Sequence, residues 1–342
     1  MSASKSPESE LLVGGQALIE GVMMRSPGAW GIAVRRPDGS LALQRGKVNP
    51  WGRRFPILKL PILRGCAVLF QSLALGIRAL NFSAAEAMPE EMKQKDPGDN
   101  GKADTSGLAI AGAMVTGLGL GVVVFLLLPL WGTQLAERFV FGPLSNVAFN
   151  LIDGGLRGVI FLLYILAISR MKDIHRVFMY HGAEHKVVFA YEARGPLTVD
   201  AARVQSRLHP RCGTSFLLFV LLVSVVLFAF IPKDAPFLIK FGGRLLLMPL
   251  VAGLSYEVLR LTARLRGLPL FSAMVAPGLA LQRITTQEPT DDMLEVAIVA
   301  LEEALREDGL LPEAAPGTAA VTEATAPPAA ATAATAAAAL GA

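Results

Sequence analysis

The sequence predicts a mainly α-helical, polytopic membrane protein, with about four transmembrane helices, accompanying interfacial helices and a small N-terminal β-hairpin unit. Three observations carry that expectation. The mean hydropathy is +0.49 and charged residues make up only 18% of the 342, a balance typical of chains that live in lipid. Several apolar runs reach the length needed to cross a bilayer. The net charge is only +4, and the basic residues gather beside those runs, as membrane orientation requires. The lipid bilayer is therefore the expected partner, and no nucleic acid is expected. Cys66 and Cys212, the two cysteines, are too few for a disulfide framework and fit a reducing compartment. Met1 to Glu10 is polar and lacks the basic-then-apolar order of a signal peptide.

In chain order, residues 1–10 read as disordered and 11–56 as the small N-terminal unit. The glycine-punctuated run from Leu11 to Arg25 is too short and broken to span a bilayer. Trp30 to Arg36 and Ser40 to Val48 flank Pro37-Asp38-Gly39, where proline presets φ and glycine supplies a positive φ, so a hairpin is expected. Gly14-Gly15 reads as a turn, because no Lys-Ser/Thr follows at phosphate-loop spacing. Residues 57–88 read as an interfacial amphipathic helix: Arg64, Gln71 and Arg78 recur every seven residues along one face, and arginines are costly inside a span. Residues 89–107 form a charged linker.

Residues 108–258 hold the four expected spans: Leu108 to Trp131, about Leu151 to Ser169, Thr214 to Ile231 and about Phe237 to Tyr256. In the first, Gly117 and Gly121 form a small-xxx-small packing face, and Pro129 and Trp131 mark its end. No acidic residue near the centre of a span and no inverted repeat is read, which leaves a transporter without an evident ion path. Residues 259–308 are expected to form amphipathic helices. One runs from Pro269 to Arg283; another is capped by Thr290, carries Asp291 and Asp292 in its first turn, and lines up Leu294, Ile298, Leu301 and Leu305. The Ala/Pro/Thr tail, 309–342, reads as disordered.

Between the second and third spans lie Arg170, Lys172, Arg176, Lys186, Arg194, Arg203, Arg207 and Arg211, whereas only Arg138 separates the first from the second. The positive-inside rule makes that basic connection cytoplasmic and, with four spans, both termini too. Within it a helix is expected to continue from the second span to Tyr191, followed by a short helix over 199–208 capped by Thr198.

The chemistry gathers in this connection, 170–212. On a helix, His181 and His185 lie one turn apart on one face, with Glu184 on the same side. This H-x-x-E-H order reverses H-E-x-x-H, in which two imidazoles hold zinc and the carboxylate acts as base. His209 and Cys212 follow at x₂ spacing and add ligand types that zinc prefers. If His181, His185, His209 and Cys212 all bind a divalent metal, zinc foremost, the shell is closed and structural. If three bind, Glu184 could act as general base on a water in the open position. Glu257 is a further ligand candidate, unless an arginine just beyond it takes the carboxylate. His175 lies off the ligand face.

Gly-Gly-Gln-Ala-Leu-Ile-Glu-Gly-Val-Met-Met-Arg (14–25), His-Gly-Ala-Glu-His-Lys (181–186), His-Pro-Arg-Cys-Gly-Thr-Ser (209–215) and Leu-Gln-Arg-Ile-Thr-Thr (281–286) resemble, in that order, the YqhQ-like bacterial membrane proteins. The resemblance covers roughly residues 11 to 307. It implies a bacterial inner-membrane location and a metal-dependent activity, without a reaction to carry over. The expected function is a zinc-dependent hydrolase acting on a membrane-proximal substrate. The alternative is a non-enzymatic scaffold or assembly factor with a structural metal site. The protein partner, if any, and association into homo-oligomers stay open.

Overall fold

The computed structural model describes residues 13–89, 112, 115–264, 269–312 and 321–323. The expected disordered start, nearly all of the charged linker, the beginning of the first span and most of the Ala/Pro/Thr tail lie outside them.

Gly39 adopts φ +85° and turns β3 (Ala29–Arg35) into β4 (Leu41–Lys47), the hairpin expected around Pro37-Asp38-Gly39. A second hairpin precedes it: β1 (Gly14–Leu18) and β2 (Gly21–Arg25) join through a two-residue turn, with Glu20 at φ 52°. The four strands form an antiparallel sheet in the order β1-β2-β3-β4, and a short β5 (Val321–Glu323) adds parallel to β4.

Side chains alternate across a strand, and both faces of this sheet are covered. Val22, Met24, Ala33 and Leu43 meet helices α4 (Lys172–Glu192) and α8 (Asp291–Glu307). The three leucines and the isoleucine foreseen on α8 are all buried there. Leu18, Met23, Ile32, Val34 and Ala42 face α1 (Leu63–Ala87) through Ala79, Leu75 and Phe82.

Helix α1 has the length and apolarity to cross a membrane, although the sequence reading placed it in the interface. Its polar stripe is satisfied inside the protein. Arg64 pairs with Glu257, Gln71 Nε2 donates to the Asn49 carbonyl at 2.9 Å, and Arg78 lies over the Trp30 ring. Arg36 binds Glu86 near its far end at 2.6 Å.

Three further helices are long and apolar enough to cross: α2 (Val115–Phe141), α3 (Asn146–Ile168) and α6 (Phe237–Arg264). Helix α2 runs ten residues past Trp131, because a π-helical stretch over Val123–Leu127 accommodates Pro129. The expected third span is shorter than anticipated. Helix α5 (Gly213–Phe228) has 16 residues, fewer than the ~20 that a full crossing takes. It packs between α3, α6 and α7 (Pro269–Thr285).

Two expectations about the connection are corrected. Helix α3 does not continue to Tyr191: it stops at Ile168, and Met171 is extended (ψ 131°) before α4 starts. The helix expected over 199–208 is only Val199–Arg203, with Thr198 Oγ1 accepting from the Ala201 amide at 3.3 Å. No acid is expected near the centre of a span, yet one lies inside α3. Because α3 begins at Asn146 and not near Leu151, Asp153 sits well inside it and is buried between Arg157 and Arg244.

The sheet and α8 depend on each other for burial. Leu301→Ala, at a fully buried position, is expected to cost about 2–5 kcal/mol. Thermal unfolding of the detergent-purified protein, followed by Trp30 fluorescence, should show a clearly lowered midpoint. An unchanged midpoint would mean that α8 is not integral to this core.

Candidate metal centre

Helix α4 presents His181, Glu184 and His185 on one face, as the spacing requires, and packs them against β1. Cys212 is the N-cap of α5, with its sulfur accepting from the Thr214 amide at 3.5 Å and hydroxyl at 3.4 Å. Among the described residues, His181, His185 and Cys212 form a potential ligand group, their donor atoms all within 4.8 Å of one another.

The imidazole orientations are set by backbone carbonyls. His181 Nδ1 donates to the Thr285 carbonyl at 2.8 Å, and His185 Nδ1 to the Arg207 carbonyl at 2.5 Å. Thr285 ends α7, where carbonyls have no partner within the helix. With each Nδ1 protonated, each Nε2 is left as a lone pair. His181 Nε2 lies 3.2 Å from Cys212 Sγ, and two zinc-bound N and S atoms in a tetrahedron stand about 3.5 Å apart. His185 Nε2 is buried and has no hydrogen-bond partner among the described residues. Burial also pushes the His185 pKa down, against the opposing influence of Cys212, which keeps the ring in the neutral form that binds metal. This donor set fits a zinc ion: two imidazoles steered by Nδ1–H···O=C bonds, and one sulfur.

Glu184 is buried beside them, 7% exposed. Burial pushes its carboxyl pKa up, while His181, the Gly15 amide and His209 pull it down. Gly15 matters by being small. A Cβ there would stand 3.1 Å from the Glu184 carboxyl carbon and would collide with the Met23 carbonyl. Gly182, inside the histidine motif, similarly lets the Gln287 carbonyl approach α4. A cavity of about 630 Å³ reaches His181, Glu184 and Cys212, with Gln16, Phe178 and Leu217 among its walls.

Two sequence candidates stand outside the ligand group. The His209 ring packs edge-on against Phe189, 4.4 Å between centroids, and its Nε2 lies 3.7 Å from Glu192. Its backbone is gripped by Gln282, which accepts from the His209 amide and donates to its carbonyl, both at 2.8 Å. His209 thus shapes the loop that delivers Cys212. Glu257 is far from this role. It accepts from Arg64 Nε at 2.7 Å and from the Ile62 amide at 3.4 Å, so its partner comes from α1 and not from the arginines that follow it. His175 is exposed at the start of α4.

Gln282, Gly15 and the carbonyls of Thr285 and Arg207 were not anticipated as parts of the site. The only signal for the first three lay in the blocks 14–25 and 281–286, which carried a resemblance without a role. The structure gives the role: all four blocks converge here. Residues 60–307 match the model of a family described as protein of unknown function (DUF1385). The chain belongs to this family. It is also 37% identical to the uncharacterized protein YqhQ of Bacillus subtilis (strain 168) over 317 residues, which cover 91% of this chain and 96% of that protein. No solved structure matches. The family match begins after β1, so the Gly15 wall of the site lies outside it, whereas the similarity to YqhQ takes in nearly the whole chain.

Gln282→Ala removes both hydrogen bonds that hold the His209–Cys212 loop. Two lost bonds at about 1 kcal/mol each should loosen it enough for Cys212, now 8% exposed, to be alkylated roughly tenfold faster or more. An unchanged alkylation rate would show that the loop is held without Gln282.

Proposed function

We propose that this protein is a zinc-dependent hydrolase of the bacterial inner membrane, with a cytosol-facing centre at which His181, His185 and Cys212 bind the metal and Glu184 is the general base. One observation carries the reading. Two carbonyl-steered imidazoles turn their unprotonated Nε2 atoms toward one cysteine sulfur, beside a buried carboxyl and at the wall of a cavity. Three ligands with His209 standing aside leave room for a fourth, exchangeable position, the mark of catalytic and not structural zinc.

A bound zinc ion would supply Lewis acidity and acidify a coordinated water. The protein's own groups do the rest. The Glu184 carboxylate takes a proton and returns it to a leaving group, and burial, by raising its pKa, favours holding that proton between the two steps. The Nδ1–H bonds hold both imidazoles in place while charge shifts. Gly15 keeps β1 close enough for its amide to face the carboxyl. Phe178 and Leu217 give the cavity an apolar wall, which suits a substrate presented from the bilayer. The eight basic residues between α3 and α5 support placing this side in the cytosol.

Elemental mass spectrometry of the detergent-purified protein should find near-stoichiometric zinc. His181→Ala, His185→Ala and Cys212→Ala should each lose it, while His209→Ala and Glu184→Gln keep it. Wild type without metal, or a His209→Ala protein that loses it, contradicts the assignment. Against a panel of bilayer-presented ester, phosphoester and peptide reporters, Glu184→Gln should lower hydrolysis about 10²–10⁴-fold with metal retained. Equal rates in the two proteins would remove the catalytic role and leave a metal-bearing scaffold.

A further inference from the structure

Twelve residues beyond Cys212, about 18 Å along the axis of α5, Ser224 meets a second polar cluster at the opposite end of the helical domain. Asp153 and Arg157 stand one turn apart on α3, and Arg244 comes from α6. Asp153 accepts from Arg157 Nη2 at 2.6 Å and from Arg244 Nη1 at 2.8 Å. Arg157 also donates Nη1 to Ser224 Oγ at 2.9 Å and Nε to the Phe125 carbonyl at 3.0 Å. The last bond has a local cause. Pro129 has no N–H to offer the carbonyl four residues before it, and Arg157 fills that place. Both guanidinium groups rest on the Phe228 ring, 4.9 and 5.3 Å from its centroid.

The charges in this cluster do not balance. Two guanidinium groups face one carboxylate. Arg157 uses all three of its nitrogens, but Arg244, 2% exposed, leaves Nε buried with no hydrogen-bond partner among the described residues. One turn earlier on α6, the buried Lys240 ends on the Lys233 carbonyl at 2.8 Å and over the Phe149 ring. Beyond it, Glu137 and Asp234 are bound to Lys233 at the rim. An uncompensated cation and an orphaned donor are costly inside a membrane domain, and where they are kept they mark a ligand or ion path.

We propose that Arg244 and Lys240 bind an oxyanion of the phosphate class, with Arg244 Nε as its principal donor. A guanidinium edge matches oxygen atoms of an oxyanion, and an ammonium one turn away adds a second positive charge. A spherical halide would answer the charge but not the planar donor edge. Arg244 lies seven residues into α6, about 10 Å from its start, so the site is reached from the side opposite Cys212. The phosphate comes either from a lipid headgroup entering from the bilayer or as free inorganic phosphate entering past Lys233.

The test uses the full chain in detergent, in wild-type form and as Arg244→Lys and Lys240→Met. The first change keeps the charge beside Asp153 but lacks the guanidinium edge, and the second lies outside the Asp153 pairs. Bound phospholipid is counted by native mass spectrometry after delipidation, and free phosphate by equilibrium binding of ³²P-phosphate. The site predicts wild-type binding in one of these assays and at least tenfold weaker binding in both variants. Retained phospholipid assigns the lipid source, and saturable ³²P binding assigns the free ion. If Arg244→Lys does not remain monodisperse, Lys240→Met decides alone. Wild type that binds neither form, or binds as the variants do, overturns the proposal.

Discussion

Two short hydrogen bonds organise the centre: the Nδ1–H groups of His181 and His185 donating to the carbonyls of Thr285 and Arg207. A histidine pair at i and i+4 supplies four ring nitrogens, and only the partner of Nδ1 decides which of them face inward. Those partners come from far along the chain. Thr285 is the last residue of α7, and the Arg207 side chain is itself tied to the Thr286 carbonyl at the same helix end. Gln282, one turn back on α7, holds the loop that ends in Cys212. The C-terminal turn of one helix therefore sets the geometry of both histidines and of the cysteine loop.

The rest of the architecture can be understood as support for that meeting of α4, α5 and α7. The sheet gives α4 its apolar floor and brings Gly15 against Glu184. Helix α8 seals the same face of the sheet. The helical domain carries α5 away from the centre toward the buried arginines, so one 16-residue helix links two polar sites that lie toward its opposite ends.

What could be read in advance follows how local each cause is. The Pro37-Asp38-Gly39 turn, the helical placement of His181 and His185 and the inward face of α8 each depend on a few neighbouring residues, and each appears as expected. The β1–β2 hairpin was missed because its turn uses Ile19-Glu20 and carries no Asn, Asp or Gly signal. Gly14 and Gly15 are strand and not the expected turn, and the reason for Gly15, Glu184, lies 169 residues away. Asp153 escaped because a shift of a few residues in the start of α3 moves a boundary residue into the interior. His209 and Cys212 looked equivalent in sequence, yet a side-chain grip from Gln282 turns one toward the fold and leaves the other at the centre.

The central claim is a three-ligand centre of two imidazoles and one thiolate with an exchangeable fourth position. X-ray absorption at the zinc edge of the purified protein tests it most directly. The account predicts one sulfur at about 2.3 Å and three nitrogen or oxygen neighbours at about 2.0–2.2 Å, with the sulfur shell lost in Cys212→Ser. A shell without sulfur, or one unchanged in Cys212→Ser, would contradict it.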